Sequence, residues 1–236
     1  YGAGLFPHDL PDFPHGYHRN RQIWVYQQPS EYYARHLVLH EGTHAFMKSF
    51  LRGAGPPWFM EGMAEYLGTH RWEAGRLTLG YMPRDNDEVP YWGRVKIIQD
   101  DFAANRGQSL DNVLEFGPQA HLRTEAYAWS WGAVTLLAEH PLSKQAFREM
   151  FSEVNLSAQA FAEKFKGKLG EAWPKLEEQW QLFVVNLEYG YDVSANAIVY
   201  AEGRPLPADG VEVTLSADRG WQSSGYLLEA GKKHQI

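Results

Sequence analysis

No cysteine occurs among the 236 residues. Disulfides, thiolate metal ligands and cysteine nucleophiles are excluded together. The compartment is not, because cysteine-free proteins occur both inside cells and in bacterial envelopes. Long apolar runs are missing too. Nothing approaches the roughly 20 residues that cross a bilayer, so no transmembrane segment is expected, and the opening residues lack the pattern of a signal peptide. Positive charge is scarce: 22 Lys and Arg stand against 29 Asp and Glu, for a formal net charge of -7. With basic residues scattered except at Lys232-Lys233, nucleic-acid binding has no electrostatic footprint.

Aromatic residues are plentiful: 9 Trp, 13 Tyr and 12 Phe mark a folded chain rather than a disordered one. The length suits one sizeable core with a smaller module. Because the chain opens on Tyr1 and stops at Ile236 soon after strand-like segments, it is expected to be a fragment or processed form.

Residues 1–22, with Pro7, Pro11 and Pro14 and with His8, His15 and His18, lack periodicity and read as an irregular arm of ordinary loop histidines. Ile23 to Gln27 reads as a short strand. Ser30 is a natural N-cap for a helix in which Tyr33, Leu37, His40, His44, Met47 and Leu51 share one face. Val38, Ala45 and Phe46 lie elsewhere around that helix, so it is expected to be central. Arg52 to Pro57 turns the chain, and a second helix is predicted from Pro57 to about Leu67. A hairpin over 69–80 follows, then helices over 91–105, 109–116, 125–139, 143–154, 157–169 and 173–187. After Gly190 the period changes, and 193–200, 211–215 and 226–228 read as strands. The fold class expected is α+β: a mainly helical domain over 1–190 with a small β edge, then a short or truncated all-β module over 191–236.

Chemistry concentrates in His40-Glu41-Gly42-Thr43-His44. Residues four apart on a helix project to one side, so the two imidazoles can meet at one point, as two metal ligands do. Glu41, beside them, can reach a metal-bound water without ligating the metal. Glu61 and Glu65 repeat the four-residue spacing on the second helix, and either can complete a His/His/Glu site. The plain alternative is a helix whose histidines satisfy core hydrogen bonds. Trp58, Trp129 and Trp131 read as packing. His70 and His140 read as surface or cap residues, and His36 as support or structure.

The two segments resemble the gluzincin branch of zinc metallopeptidases, which includes thermolysin and aminopeptidase-N-like enzymes. In finer detail they are similar to bacterial zincin-like domains that carry His-Glu-Gly-Thr-His and Pro-Trp-Phe-x-Glu-Gly-x-Ala-Glu-Tyr, here Pro57 to Tyr66. The resemblance implies one zinc ion per chain on His40, His44 and Glu61, with Glu61 chosen over Glu65 by its Glu-Gly-Met-Ala context. Glu41 would then be the general base, and Glu65 would orient the first histidine's distal nitrogen. A downstream tyrosine or histidine stabilises the oxyanion in that family. The role falls to Tyr127, with His121, Tyr91 and Tyr81 as other candidates. His44 and Glu61 stand closer in sequence than in aminopeptidase-type members, and the Gly-Ala-Met-Glu-Asn strand that binds a free amine is absent.

The activity implied is that of a zinc-dependent metallopeptidase, a hydrolase cleaving peptide or protein substrates with a Glu41-activated, zinc-bound water. A bacterial secreted or cell-envelope setting suits it better than the cytoplasm. The competing expectation is a catalytically inactive zincin-like zinc-binding scaffold or binding module at an envelope or surface. A non-peptidase hydrolase would use the same chemistry on other acyl groups.

Overall fold

The computed structural model describes residues 10–13 and 15–234. The start of the expected arm, with Pro7, His8 and Pro14, lies outside the described residues, as does the side chain of His121. Two compact units divide the chain, one ending at Tyr191 and the other beginning at Asp192.

The first unit opens on an antiparallel hairpin, β1 (Gly16–Arg19) with β2 (Gln22–Val25), in which Gly16 faces Val25 and Arg19 faces Gln22. The arm therefore contains a strand where an irregular loop is expected. Asn20, at φ 58°, supplies the left-handed residue of a two-residue turn, a conformation that Asn tolerates. Helix α1 (Glu31–Phe46) starts where Ser30 accepts the Tyr33 N–H at 3.0 Å. Its inner face buries His36, Leu37, His40 and His44, but Val38 and Phe46 are 49% and 53% exposed. The helix thus borders the core instead of running through it. It passes into a π-helical turn, Met47–Leu51, and ends at Arg52 with φ 59°.

Helix α2 (Pro57–Gly68) begins on a proline whose fixed φ suits a first turn. The predicted hairpin follows as β3 (His70–Glu73) and β4 (Arg76–Leu79). Next come α3 (Arg94–Ala103), α4 (Leu110–Leu114), α5 (Thr124–Glu139), α6 (Lys144–Glu149), α7 (Ala158–Leu169) and α8 (Trp173–Asn186). Helix α3 starts later than the periodicity predicts because Tyr91 and Gly93 hold φ of 70° and 63°, which no helix continues.

Helix α5 is the buried centre: Ala128, Ala133, Val134 and Leu137 have no exposed surface. Its Ser130 backbone meets α2 at Gly62, where an added Cβ would stand 2.5 Å from the Ser130 carbonyl oxygen. Trp58 and Phe59 pack against Phe161, Trp131 meets Trp92 edge-on at 4.8 Å, and Trp129 abuts Trp180. Among the described residues no helix is long and apolar enough to cross a membrane.

The second unit departs from the strand reading. Asp192 accepts the Ala195 N–H at 2.9 Å and caps a helical turn, α9 (Val193–Asn196), where a strand is expected. Residues 211–215 alternate as a strand would, but they have no ladder partner among the described residues and adopt no regular structure. Among the described residues, the β structure in this unit is one parallel two-residue pair, β5 (Arg204–Pro205) with β6 (Tyr226–Leu227). The described chain is α+β and mainly helical, with two small antiparallel hairpins and this one parallel pair.

Candidate metal centre

Helix α1 supplies two imidazoles and α2 a carboxylate to one buried point. His40 Nε2 and His44 Nε2 are 3.1 Å apart, and Glu61 Oε2 lies 3.4 Å from the first and 3.2 Å from the second. That oxygen is buried, and neither ring meets it with hydrogen-bond geometry. The two imidazole nitrogens share a hydrogen bond, but the carboxylate oxygen they face has none, and a buried anionic oxygen beside two ring nitrogens is a donor set that a cation satisfies. Among the described residues, His40/His44/Glu61 is one of two groups that can hold a metal ion; the other is His36/His40/Glu65.

Charges in the cluster are strongly coupled. Burial pushes the His40 imidazolium toward losing its proton, but Glu61 and Glu65 outweigh burial and raise its pKa to about 10. Burial likewise works against the Glu61 carboxylate, yet the two imidazoles hold its pKa down at about 2. Burial lowers the pKa of His44. In the metal-free protein at neutral pH, His40 therefore carries a proton that a metal must displace. Binding of a divalent metal is expected to release about one proton, with apparent affinity rising with pH until His40 titrates near 10. Calorimetry in buffers of different ionisation enthalpy measures that release, and a buffer-independent heat would contradict it.

Around the triangle, His40 Nδ1 faces Glu65 Oε1 at 3.2 Å. The contact is too bent for a full hydrogen bond, but the carboxylate still favours a proton on Nδ1 and leaves Nε2 for a metal. His36 Nε2 stands 3.5 Å from the same Glu65 oxygen. Tyr127, on α5, places its ring 5.9 Å from that of His40, and burial raises its pKa.

The chain matches no family model, no curated protein and no solved structure.

Glu41 stands beside the triangle and is already engaged. His18 Nδ1 lies 2.9 Å from Glu41 Oε2, and His18 Nε2 lies 3.0 Å from Lys48 Nζ. An ammonium can only donate, so Nε2 accepts and the Nδ1–H donates to Glu41. The His18 ring also lies 5.2 Å from that of His44. Gly16 presses its backbone on the same carboxylate, where an added Cβ would come within 3.1 Å of Glu41 Cγ. Burial opposes ionisation of Glu41, but His18 and the neighbouring imidazoles outweigh it and lower its pKa.

His18 thus belongs to the centre and not to an idle loop; the turn residue Asn20, midway between Tyr17 and Trp24, which pair across the hairpin, was the signal for the strand that carries it. Arg94 also escaped sequence reasoning. It is buried and pairs with both Glu65 oxygens, Nε to Oε2 at 2.8 Å and Nη2 to Oε1 at 3.1 Å, and no local pattern marks it. The other expected donors lie apart: Tyr91 is 67% exposed, and Tyr81 engages Glu88 and Arg71. His70 and His140 are buried instead of lying on the surface, and they sit at helix ends as the cap alternative expects, His70 Nδ1 bonding the Gly68 carbonyl and His140 forming the C-cap of α5. His70 stacks on Tyr32 at 4.6 Å, and His140 bonds Gln179 at 2.6 Å.

Proposed function

We propose that the first unit is a zinc-binding module of the zincin type, holding one zinc per chain on His40, His44 and Glu61. The observation that carries this reading is the size of the triangle. Ligand atoms bonded at about 2.0–2.1 Å to a tetrahedral zinc stand about 3.3 Å apart, and these three are separated by 3.1, 3.2 and 3.4 Å. The order of the segments, His-Glu-Gly-Thr-His and then Glu-Gly-Met-Ala-Glu, supports the gluzincin likeness. Zinc at this position would supply a Lewis acid that polarises a carbonyl and acidifies water.

In the arrangement described, all three ligands are buried and Glu41 is tied to His18. This closed state favours a zinc-holding scaffold or binding module. A zinc peptidase is the second reading, supported by Glu41 itself. A structural site has no need of an ionised carboxylate next to its ligands, whereas a hydrolase uses one to accept a proton from water and pass it to the leaving nitrogen. In that reading Tyr127, whose ring lies 5.9 Å from that of His40, offers a hydroxyl to the developing oxyanion.

Metal analysis of metal-replete protein is the test: one zinc per chain is expected, and none in well-folded protein would sink the assignment. Incubation of the zinc form with a diverse peptide library separates the two readings. Cleavage that disappears in Glu41→Gln while zinc is retained assigns the peptidase. No cleavage by fully loaded protein assigns the scaffold.

A further inference from the structure

We propose that Arg94 is the positioning residue of the metal centre, acting through Glu65 to hold His40 in the His40/His44/Glu61 group and to deny metal to the overlapping His36/His40/Glu65 group. The two groups share one imidazole. His40 turns Nε2 toward Glu61 and Nδ1 toward Glu65, so whichever carboxylate takes a metal decides which face of the ring is used.

Arg94 breaks the tie. Its guanidinium engages both oxygens of Glu65 in a fork, a planar two-point geometry that fixes the carboxylate as well as neutralising it. A guanidinium does not lose its proton, so a dication drawn to Glu65 would enter beside a permanent positive charge. With Glu65 fixed 3.2 Å from His40 Nδ1, the ring is held with its other nitrogen, Nε2, toward His44 and Glu61. The same guanidinium carbon lies 5.7 Å from the centre of the Tyr127 ring. One residue at the start of α3 therefore braces α2, through Glu65, and α5, through Tyr127, around the α1 histidine. Among the described residues no arginine or lysine pairs with Glu61, whose Oε2 faces only the two imidazoles.

This inference rests on the metal centre proposed above. Zinc affinity measured by chelator competition is expected to fall about 10–100-fold in Arg94→Met, the size typical for losing a group that orients a ligand. The cobalt-substituted form is expected to show an altered visible spectrum, because His40 is no longer held. Arg94→Lys keeps the charge without the fork and is expected to lie between wild type and Arg94→Met. Glu65→Gln is expected to weaken zinc as Arg94→Met does, with little further loss in the double variant, because both act through one carboxylate. A purely structural role would lower the melting temperature of the metal-free protein but leave affinity and cobalt spectrum unchanged, and that result overturns the proposal. If Arg94→Met does not fold, wild-type affinity in both Arg94→Lys and Glu65→Gln overturns it equally. Absence of zinc from the wild type would instead remove the metal centre itself, which distinguishes the two failures.

Discussion

Changing His44 to alanine is expected to abolish zinc binding, while Glu41→Gln leaves one zinc per chain. His44 Nε2 contributes two of the three edges of the ligand triangle, 3.1 Å to His40 and 3.2 Å to Glu61. Without it one imidazole and one carboxylate remain, too few for a tight zinc site. Apparent binding energies of structural zinc sites are about 10–16 kcal/mol at neutral pH, so losing one ligand in three removes several kcal/mol, enough to end binding against a chelator. Stability reads the same event. A ligand at about 1,000 times its Kd stabilises the folded state by about 4 kcal/mol; the wild type is therefore expected to melt higher with added zinc, and His44→Ala is not. Glu41→Gln is the matched control. The amide oxygen still accepts from His18 and keeps the shape that packs against Gly16, while the carboxylate it replaces lies outside the triangle. Loss of zinc in Glu41→Gln as well would mean that Glu41 is itself a ligand.

The parts of this molecule legible in its sequence are those that short-range physics decides. Helical spacing along Tyr33 to Leu51, with Ser30 in front, is enough to place α1, and the same four-residue rule puts His40 and His44 on one side. The Gly/Pro turn after Arg52 announces the return to α2. Illegible were the features that depend on what comes to lie opposite. The alternating Val211, Val213 and Leu215 look like a strand, but a strand needs a ladder partner and none is there among the described residues. Arg94 lies 29 residues beyond Glu65, and nothing in its neighbours reveals that it will point inward. His18 reads as an ordinary loop histidine because residues 1–22 carry prolines and lack periodicity, yet a hairpin closed by Asn20 places it over Glu41. In each case the deciding contact spans elements that sequence order keeps apart.

That convergence passes through α2, which supplies Glu61 and Glu65 and is itself located by its fit to α5. A ligand triangle with edges near 3.2 Å tolerates little drift, since a shift of about 1 Å at one corner takes a ligand out of bonding range. The precision of the site is therefore set by helix packing away from it. His40 and His44 depend on α1, the carboxylates on α2, and the tightest point behind α2 is Gly62.

Gly62→Ala is accordingly expected to weaken both the fold and the metal centre. A Cβ there would lie 2.5 Å from the Ser130 carbonyl oxygen and 2.5 Å from Val134 Cγ2. A valine methyl can rotate away, but the carbonyl belongs to the backbone of α5 and cannot, so the two helices must part. Overpacking of this kind costs about 1–3 kcal/mol, against which alanine regains up to about 1 kcal/mol of helix propensity. The net expectation is a loss of about 1–2 kcal/mol in denaturant unfolding of the metal-free protein, with Gly62→Val worse. Because Glu61 is the preceding residue and Glu65 lies less than one turn on, moving α2 off α5 displaces both from α1, and zinc affinity is expected to fall with stability. Gly167→Ala supplies the comparison. That glycine sits exposed on α7 with nothing within 4 Å of an added Cβ, so the same substitution is expected to stabilise by up to about 1 kcal/mol and leave zinc untouched. If Gly62→Ala matched Gly167→Ala in both measurements, α2 would not be held against α5 at Gly62, and the placement of Glu61 would need another cause.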